Sequence, residues 1–303
     1  MIVQGKCAAV PAQIKVKLDY GIKSMELQLF PGNEVDEVIA TLNEFPNLDI
    51  LTVHTALDYS SSFIPCVNLD SLEHPVSHMY FNRACHIAQA IATCKGHKVG
   101  VILHNDFTEH DFKMHPSTFD DVVAILQNAK TMWPDVYFMI ENVTPFDGDF
   151  EQLYNGVTPK QLWNVIALFE TKGIDLYVCF DLCHNTMTKQ AYEKLLAGTS
   201  LYSEKDTIEE MFTYRRWFEV LGEKIRNIHI SKAIGDGLTQ ERHGAPLTAV
   251  DKAALAELYT ISKCYSPNAI WTVEVTDEDY TNPRNQFATY DLCKYSFGGV
   301  DEC

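Results

Sequence analysis

The sequence lacks any run of about 18 uncharged apolar residues, the length at which a helix can cross a bilayer, which argues against a membrane protein. Its start lacks the pattern of a secretory leader, because Lys6, Lys15 and Lys17 interrupt the stretch where an apolar region belongs. That stretch reads instead as a first strand and helix. Basic residues are scarce: 24 Lys and Arg face 41 Asp and Glu, for a formal charge of −17. Such a field repels polyanions and disfavours tight nucleic-acid binding, where cations must neutralise phosphates. Bound divalent cations or a local basic strip can reverse it at one place. Cys179 and Cys183 have no second closely spaced pair, which argues against a four-cysteine zinc site. The nine cysteines, odd in number and scattered, read as mostly reduced, buried thiols of a cytosolic protein. No low-complexity run, long Gly/Ser linker or short-period repeat occurs. No GxGxxG or Walker loop follows the first apolar run.

What is present is an apolar strand followed by a helical stretch, repeated. Eight strands are expected: Ile2–Ala8, Ser24–Phe30, Asp49–His54, Lys98–His104, Val136–Glu141, Asp175–Asp181, Ile225–Ser231 and Ala269–Val275. Helical spacing marks Asn33–Asn43, Phe81–Cys94, Thr118–Met132, Pro159–Thr171 and Thr207–Leu221. Thr158 before Pro159 is a good N-cap with proline at the first helical position. Regular alternation over the whole chain predicts an α/β fold, a single (β/α)₈ TIM barrel occupying residues 1–303 as one domain. A doubly wound open sheet is the alternative, weakened by the missing glycine-rich loop. The aromatic tail Asn282–Cys303 suits packing on the barrel or on a partner.

The chemistry sits where strands end. Strand three ends in His54, strand four in His104, strand five in Glu141 and strand six in Asp181, with His184 close behind. Strand seven contains His229, the loop after it Glu241, Arg242 and His243, and strand eight Glu274. A lone histidine ending a strand is more often a hydrogen-bonded rim residue than a ligand, and a lone carboxylate is often a helix cap. Asp181 with His184 could be a local cap, and residues 241–243 an exposed polar loop. Six consecutive strands ending this way are better explained by convergence on one mouth, where barrel active sites lie. Imidazole with carboxylate suits zinc, manganese or iron(II), and does not suit calcium. Nine donors exceed the needs of one ion, so two or three are expected, bridged by a carboxylate such as Glu141. Burying so much charge without cations would be prohibitive. The remaining histidines, His74, His78, His86, His97, His110 and His115, are expected to have surface or supporting roles, with His110 the nearest exception.

This set resembles the xylose isomerase-like TIM barrels, a superfamily that holds endonuclease IV (apurinic endonuclease family 2) and many sugar isomerases and epimerases. The resemblance runs from about residue 2 to 280. Its most specific piece is VCFDLCHN, residues 178–185, close to the endonuclease IV signature, with Leu182 where threonine is usual. The resemblance implies that His54, His104 and Glu141 hold a first ion. Glu141, Asp181, His229 and Glu274 would hold a second, and His184, Glu241 and His243 a third. Glu241 stands where that family has aspartate, and Arg242 matches its arginine. Departures fall on DNA handling: His104-Asn105-Asp106 replaces His-Pro-Gly, Asn142 to Pro145 replaces a Thr-Ala-Gly tract, and Leu57 stands in place of a tyrosine.

Three functions are open at this point. The first is an endonuclease IV-like phosphoester hydrolase with Glu141 positioning the nucleophile and Arg242 orienting phosphate, on a small phosphorylated substrate more readily than duplex DNA. The second is a sugar isomerase or epimerase in which Glu141 and Glu274 shuttle a carbon-bound proton while His184 and Arg242 bind substrate. The third is a non-catalytic metal- or ligand-binding barrel. Zinc is the first choice of cofactor, with manganese or iron sharing the same donors.

Overall fold

The apolar runs form strands that pair in parallel and in sequence order. β1 (Ile2–Ala8) joins β2 (Ser24–Gln28), then β3 (Asp49–His54), β4 (Val99–His104), β5 (Val136–Glu141), β6 (Leu176–Asp181), β7 (Ile225–Ile230) and β8 (Ile270–Val273). β8 returns to pair with β1, closing the barrel. This computed structural model describes residues 1–56, 67–105, 107–143, 157–196, 210–234 and 243–297. All six residues of β4 are buried, as expected of a strand covered on both faces.

Around the barrel run α1 (Pro11–Tyr20), α2 (Val35–Asn43), α3 (Pro75–Lys95), α4 (Glu109–Met114), α5 (Pro116–Met132), α6 (Pro159–Glu170), α7 (Leu182–Leu196), α8 (Tyr214–Leu221), α9 (Lys252–Tyr265) and α10 (Arg284–Ser296). Local chemistry sets their starts. Thr158 caps α6 by accepting the Gln161 backbone N–H at 3.3 Å, and Gln161 Oε1 accepts the Thr158 N–H in return. α3 begins at Pro75, six residues before the expected Phe81, because proline pre-sets the first helical turn. α8 starts at Tyr214 behind the cap Thr213; the expected start at Thr207 lies outside the described residues. β2 stops at Gln28, short of the expected Phe30. There Asn33 Oδ1 takes the Phe30 N–H at 2.7 Å and the chain leaves the ladder. The tail packs on the barrel through α10: Phe287 stacks on Tyr20, and Phe297 lies against Tyr259 and Trp271.

Strand pleating places every second residue inside the cylinder. The interior is divided. On the β4–β6 side it is apolar, with Ile102, Met139 and Cys179 packed against Tyr137 and Tyr177. On the other side it is a hydrogen-bonded polar layer. There Gln4 Nε2 donates to Thr52 Oγ1 at 2.9 Å and to Thr272 Oγ1 at 2.7 Å, and Thr272 Oγ1 donates to Asn227 Oδ1 at 2.8 Å. One step nearer the C-terminal mouth, the inward positions become Lys6, Gln28, His54, His104, Glu141, Asp181, His229 and Glu274. The register sets His104 beside Glu141 and Asp181 beside His229.

Candidate metal centre

Glu141 is the hub of the mouth. It ends β5 and is 2% exposed. Its Oε2 lies 3.1 Å from His54 Nε2 and 3.9 Å from His104 Nε2. Its Oε1 lies 3.2 Å from His184 Nδ1 and 3.5 Å from His229 Nδ1. His54 Nδ1 bonds the Thr55 carbonyl at 3.1 Å and must carry its proton there. That leaves Nε2 as the ring nitrogen facing the Glu141 carboxylate, an arrangement that calls for a cation or a proton between them.

His229, fully buried on β7, faces the remaining carboxylates. Its Nδ1 is 2.5 Å from Glu274 Oε2 and 3.7 Å from Asp181 Oδ2. His243 Nε2 is 3.8 Å from Asp181 Oδ2. Asp181 divides its oxygens. Oδ1 accepts the His184 backbone N–H at 2.6 Å and so caps α7, while Oδ2 has no hydrogen-bond partner. The cap expected as an alternative to a ligand is present together with a free donor atom. Asn142 steadies this corner: it accepts the Asp181 N–H at 2.6 Å and donates to the Asp181 carbonyl at 3.0 Å.

Among the described residues four groups of potential ligands result, each with its donor atoms within 4.8 Å of one another. They are His54, His104 and Glu141; Glu141, Asp181, His229 and Glu274; Glu141, Cys179 and His229; and Asp181, Cys183 and His243. The residues fit a metal by their unpaired atoms. Asp181 Oδ2 and His243 Nε2 are buried without a hydrogen-bond partner, and His229 Nδ1 and Glu274 Oε2 meet at 2.5 Å in the same cluster. Leaving such groups unsatisfied costs about 1–3 kcal/mol each, and a shared cation would satisfy them together.

Of the nine expected ligands, the structure brings together His54, His104, Glu141, Asp181, His184, His229, His243 and Glu274. Glu241 and Arg242 lie outside the described residues, as do Leu57, Asp106, Thr144 and Pro145. The side histidines stay apart. His97 pairs with Asp49 on the outer face, His74 caps α3, and His86, His110 and His115 are exposed. Five of the seven described cysteines are buried, and all seven are free thiols.

Two charged residues of the mouth were not among the expected ones. Lys6 on β1 lies 2.5 Å from Glu274 Oε1 and 3.1 Å from Glu26 Oε1, and Glu26 on β2 also contacts His229. The signal for both is strand alternation: Lys6 follows inward Gln4 by two, and Glu26 precedes inward Gln28 by two.

Protons balance the charge of this cluster. Burial pushes the carboxyl groups upward, but His229, Lys6 and their neighbours outweigh it. Glu26 is held down at about 2, and Glu141, Asp181 and Glu274 also lie below the ordinary range. Burial lowers imidazole pKa, yet Asp181 and Glu141 raise His184 to about 9, and Cys179, Glu26 and Glu274 raise His229. His104, where burial dominates, falls to about 3. Beside the cluster, at the β1, β2 and β8 ends, opens a cavity of about 370 Å³ lined by Lys6, Gln28, Phe30, His243, Glu274 and Tyr280, among others.

No protein-family model matches the sequence, and no curated protein does. Solved structures do match. Endonuclease IV from Thermus thermophilus superposes with a TM-score of 0.57 at 13% identity, covering 98% of each chain. A xylose isomerase-like protein from Rhodospirillum rubrum gives 0.60 at 12% identity, covering 97% of this chain and 99% of that one. The IolI protein, solved with a bound zinc atom, gives 0.52 at 14% identity, with 97% and 99% covered. The shared feature is architecture: this chain has the closed (β/α)₈ barrel fold of these proteins.

Proposed function

We propose that this chain is a metal-dependent hydrolase of small phosphoesters, whose barrel-mouth imidazoles and carboxylates would hold two or three divalent ions. The observation that carries it is the position of Glu141, which turns Oε2 to His54 and His104, and Oε1 to His184 and His229. In this reading His54, His104 and Glu141 hold one ion, and Glu141, Asp181, His229 and Glu274 the other. His184 and His243, with Glu241, would hold a third. Zinc suits the imidazole-carboxylate set best, manganese or iron(II) next, and the similarly folded IolI protein was solved with zinc.

Ions bound there supply Lewis-acid stabilisation of charge on phosphoester oxygens and make water more acidic. The chain's own residues do the rest. Ionised Glu141 positions the nucleophile, and Asn142 fixes the strand ends that carry Asp181. Arg242 would orient the phosphate in bidentate fashion. The charge of −17 and the modest cavity favour a small substrate over duplex DNA.

An isomerase or epimerase is the second reading, favoured by Glu274 in the cavity wall beside Lys6. It asks Glu141 to take a proton from substrate carbon, whereas Glu141 is 2% exposed and faces four imidazoles. The test is to assay zinc-loaded protein against small phosphomonoesters, an abasic duplex and a panel of ketoses. Chelator-sensitive cleavage of the small esters is expected. Ketose interconversion without cleavage would replace this reading with the second, and retained metal with neither activity would make the barrel a binding protein.

A further inference from the structure

Glu26 lies within the barrel on β2, with no exposed surface. A register shift between Met25 and Glu26 sets it opposite Thr52 of β3. Its Oε2 accepts from Thr52 Oγ1 at 2.9 Å, Asn227 Nδ2 at 2.9 Å and His229 Nε2 at 3.1 Å. Its Oε1 pairs with Lys6 Nζ at 3.1 Å. Lys6 reaches in the other direction to Glu274 Oε1 at 2.5 Å, and Glu274 Oε2 lies 2.5 Å from the opposite nitrogen of His229. Lys6, Glu274, His229 and Glu26 thus close a ring in which cationic or proton-bearing groups alternate with carboxylates.

The ring decides which atoms face the ligand cluster. With Nε2–H spent on Glu26, His229 presents Nδ1 toward Glu141, Asp181 and Glu274. With Oε1 held by Lys6, Glu274 presents Oε2. We infer that Glu26 and Lys6, neither of them a proposed ligand, are positioning residues that fix the His229 tautomer and the Glu274 rotamer for the second ion; this rests on the metal-binding reading above. A carboxylate behind a ligating imidazole orients the ring and raises its basicity, and losing such a partner weakens metal binding about 10–100-fold. Glu26 also occupies one side of the Lys6 ammonium. Without it Lys6 pairs with Glu274 alone and competes with the ion for that carboxylate.

The test uses zinc as the probe, with chelator-competition titration and ¹⁵N-histidine NMR of the zinc-loaded protein. In the wild-type protein His229 is expected to be metallated at Nδ1 and protonated at Nε2. E26Q should weaken the second site by about 10–100-fold, measured on the folded fraction, and K6M, which frees the Glu274 carboxylate to rotate, should weaken the same site. A residue that merely fills the barrel would alter melting and leave zinc affinity alone. Unchanged affinity in E26Q or in K6M, or wild-type His229 metallated at Nε2, would each overturn the inference while leaving the metal centre standing. Wild-type protein that takes up no zinc would overturn both. The wild-type NMR measurement decides the matter even where E26Q fails to fold.

Discussion

Asp181 Oδ1 accepts the backbone N–H of His184 at 2.6 Å, while its Oδ2, buried and without a hydrogen-bond partner, faces the ligand cluster. One carboxylate thus starts α7 and completes the candidate centre. The two tasks separate by substitution. Asp181→Asn keeps a competent cap and loses the charge, so helix content should persist while bound metal falls. Asp181→Ala loses both and should be less stable than Asp181→Asn by about 1 kcal/mol. Circular dichroism melts and metal analysis of the two variants check this.

Glu141→Gln preserves volume and one acceptor oxygen but removes the charge that the proposed ions would share. Turnover of a phosphoester is expected to fall about 10²–10⁴-fold while most of the metal remains. Full activity in this variant, measured beside its metal content, would remove Glu141 from the mechanism.

Stability should depend on pH with opposite signs in the stripped and loaded states. In metal-free protein, His184 at about 9 and raised His229 bind protons more tightly than in the unfolded chain. Their stabilisation is complete below about pH 6.5 and disappears as pH rises through 9. The lowered carboxyls, Glu26 at about 2 among them, act oppositely: their contribution is present above about pH 4.5 and lost on acidification. His104, lowered to about 3, also loses stabilisation as pH falls below 6.5. The melting temperature of chelated protein should therefore decline between pH 6.5 and 9. In loaded protein, where ions take the place of those protons, it should hold or rise. Thermal melts across that range with and without chelator give the answer, and parallel curves would contradict the assignment.

Gly100 tests the scaffold apart from the centre. A Cβ there would meet Met139 Cε at 2.5 Å and the Tyr137 ring at 2.8 Å, inside the apolar side of the barrel. Gly100→Ala should cost about 1–3 kcal/mol by overpacking, seen in denaturant midpoints, while zinc affinity of the folded fraction stays unchanged.

Much of this was legible in the sequence for a simple reason. Strand-ending residues in a closed parallel barrel converge, so His54, His104, Glu141, Asp181, His229 and Glu274 needed only the strand ends to be located. Small errors in those ends did no harm: β8 stops at Val273, yet Glu274 follows directly and still reaches His229. Lys6 and Glu26 were hidden because neither occupies a strand end bearing an obvious donor. Lysine is no metal ligand, and Glu26 lies mid-strand where a bulge sets its partners. The interior face of β1 and β2 had to be traced by alternation, and its hydrogen-bond partners come from β3 and β7, far away in sequence. Asp181 was readable as a cap or as a ligand, and only its two oxygens in space show both uses.

The most direct test of the bridged centre is metal analysis of protein purified without added ions, repeated on His54→Ala and His104→Ala. The account predicts two or three zinc, manganese or iron ions per chain, with one lost in either variant while the Asp181, His229 and Glu274 site stays filled. A single ion per chain that survives both substitutions would contradict it.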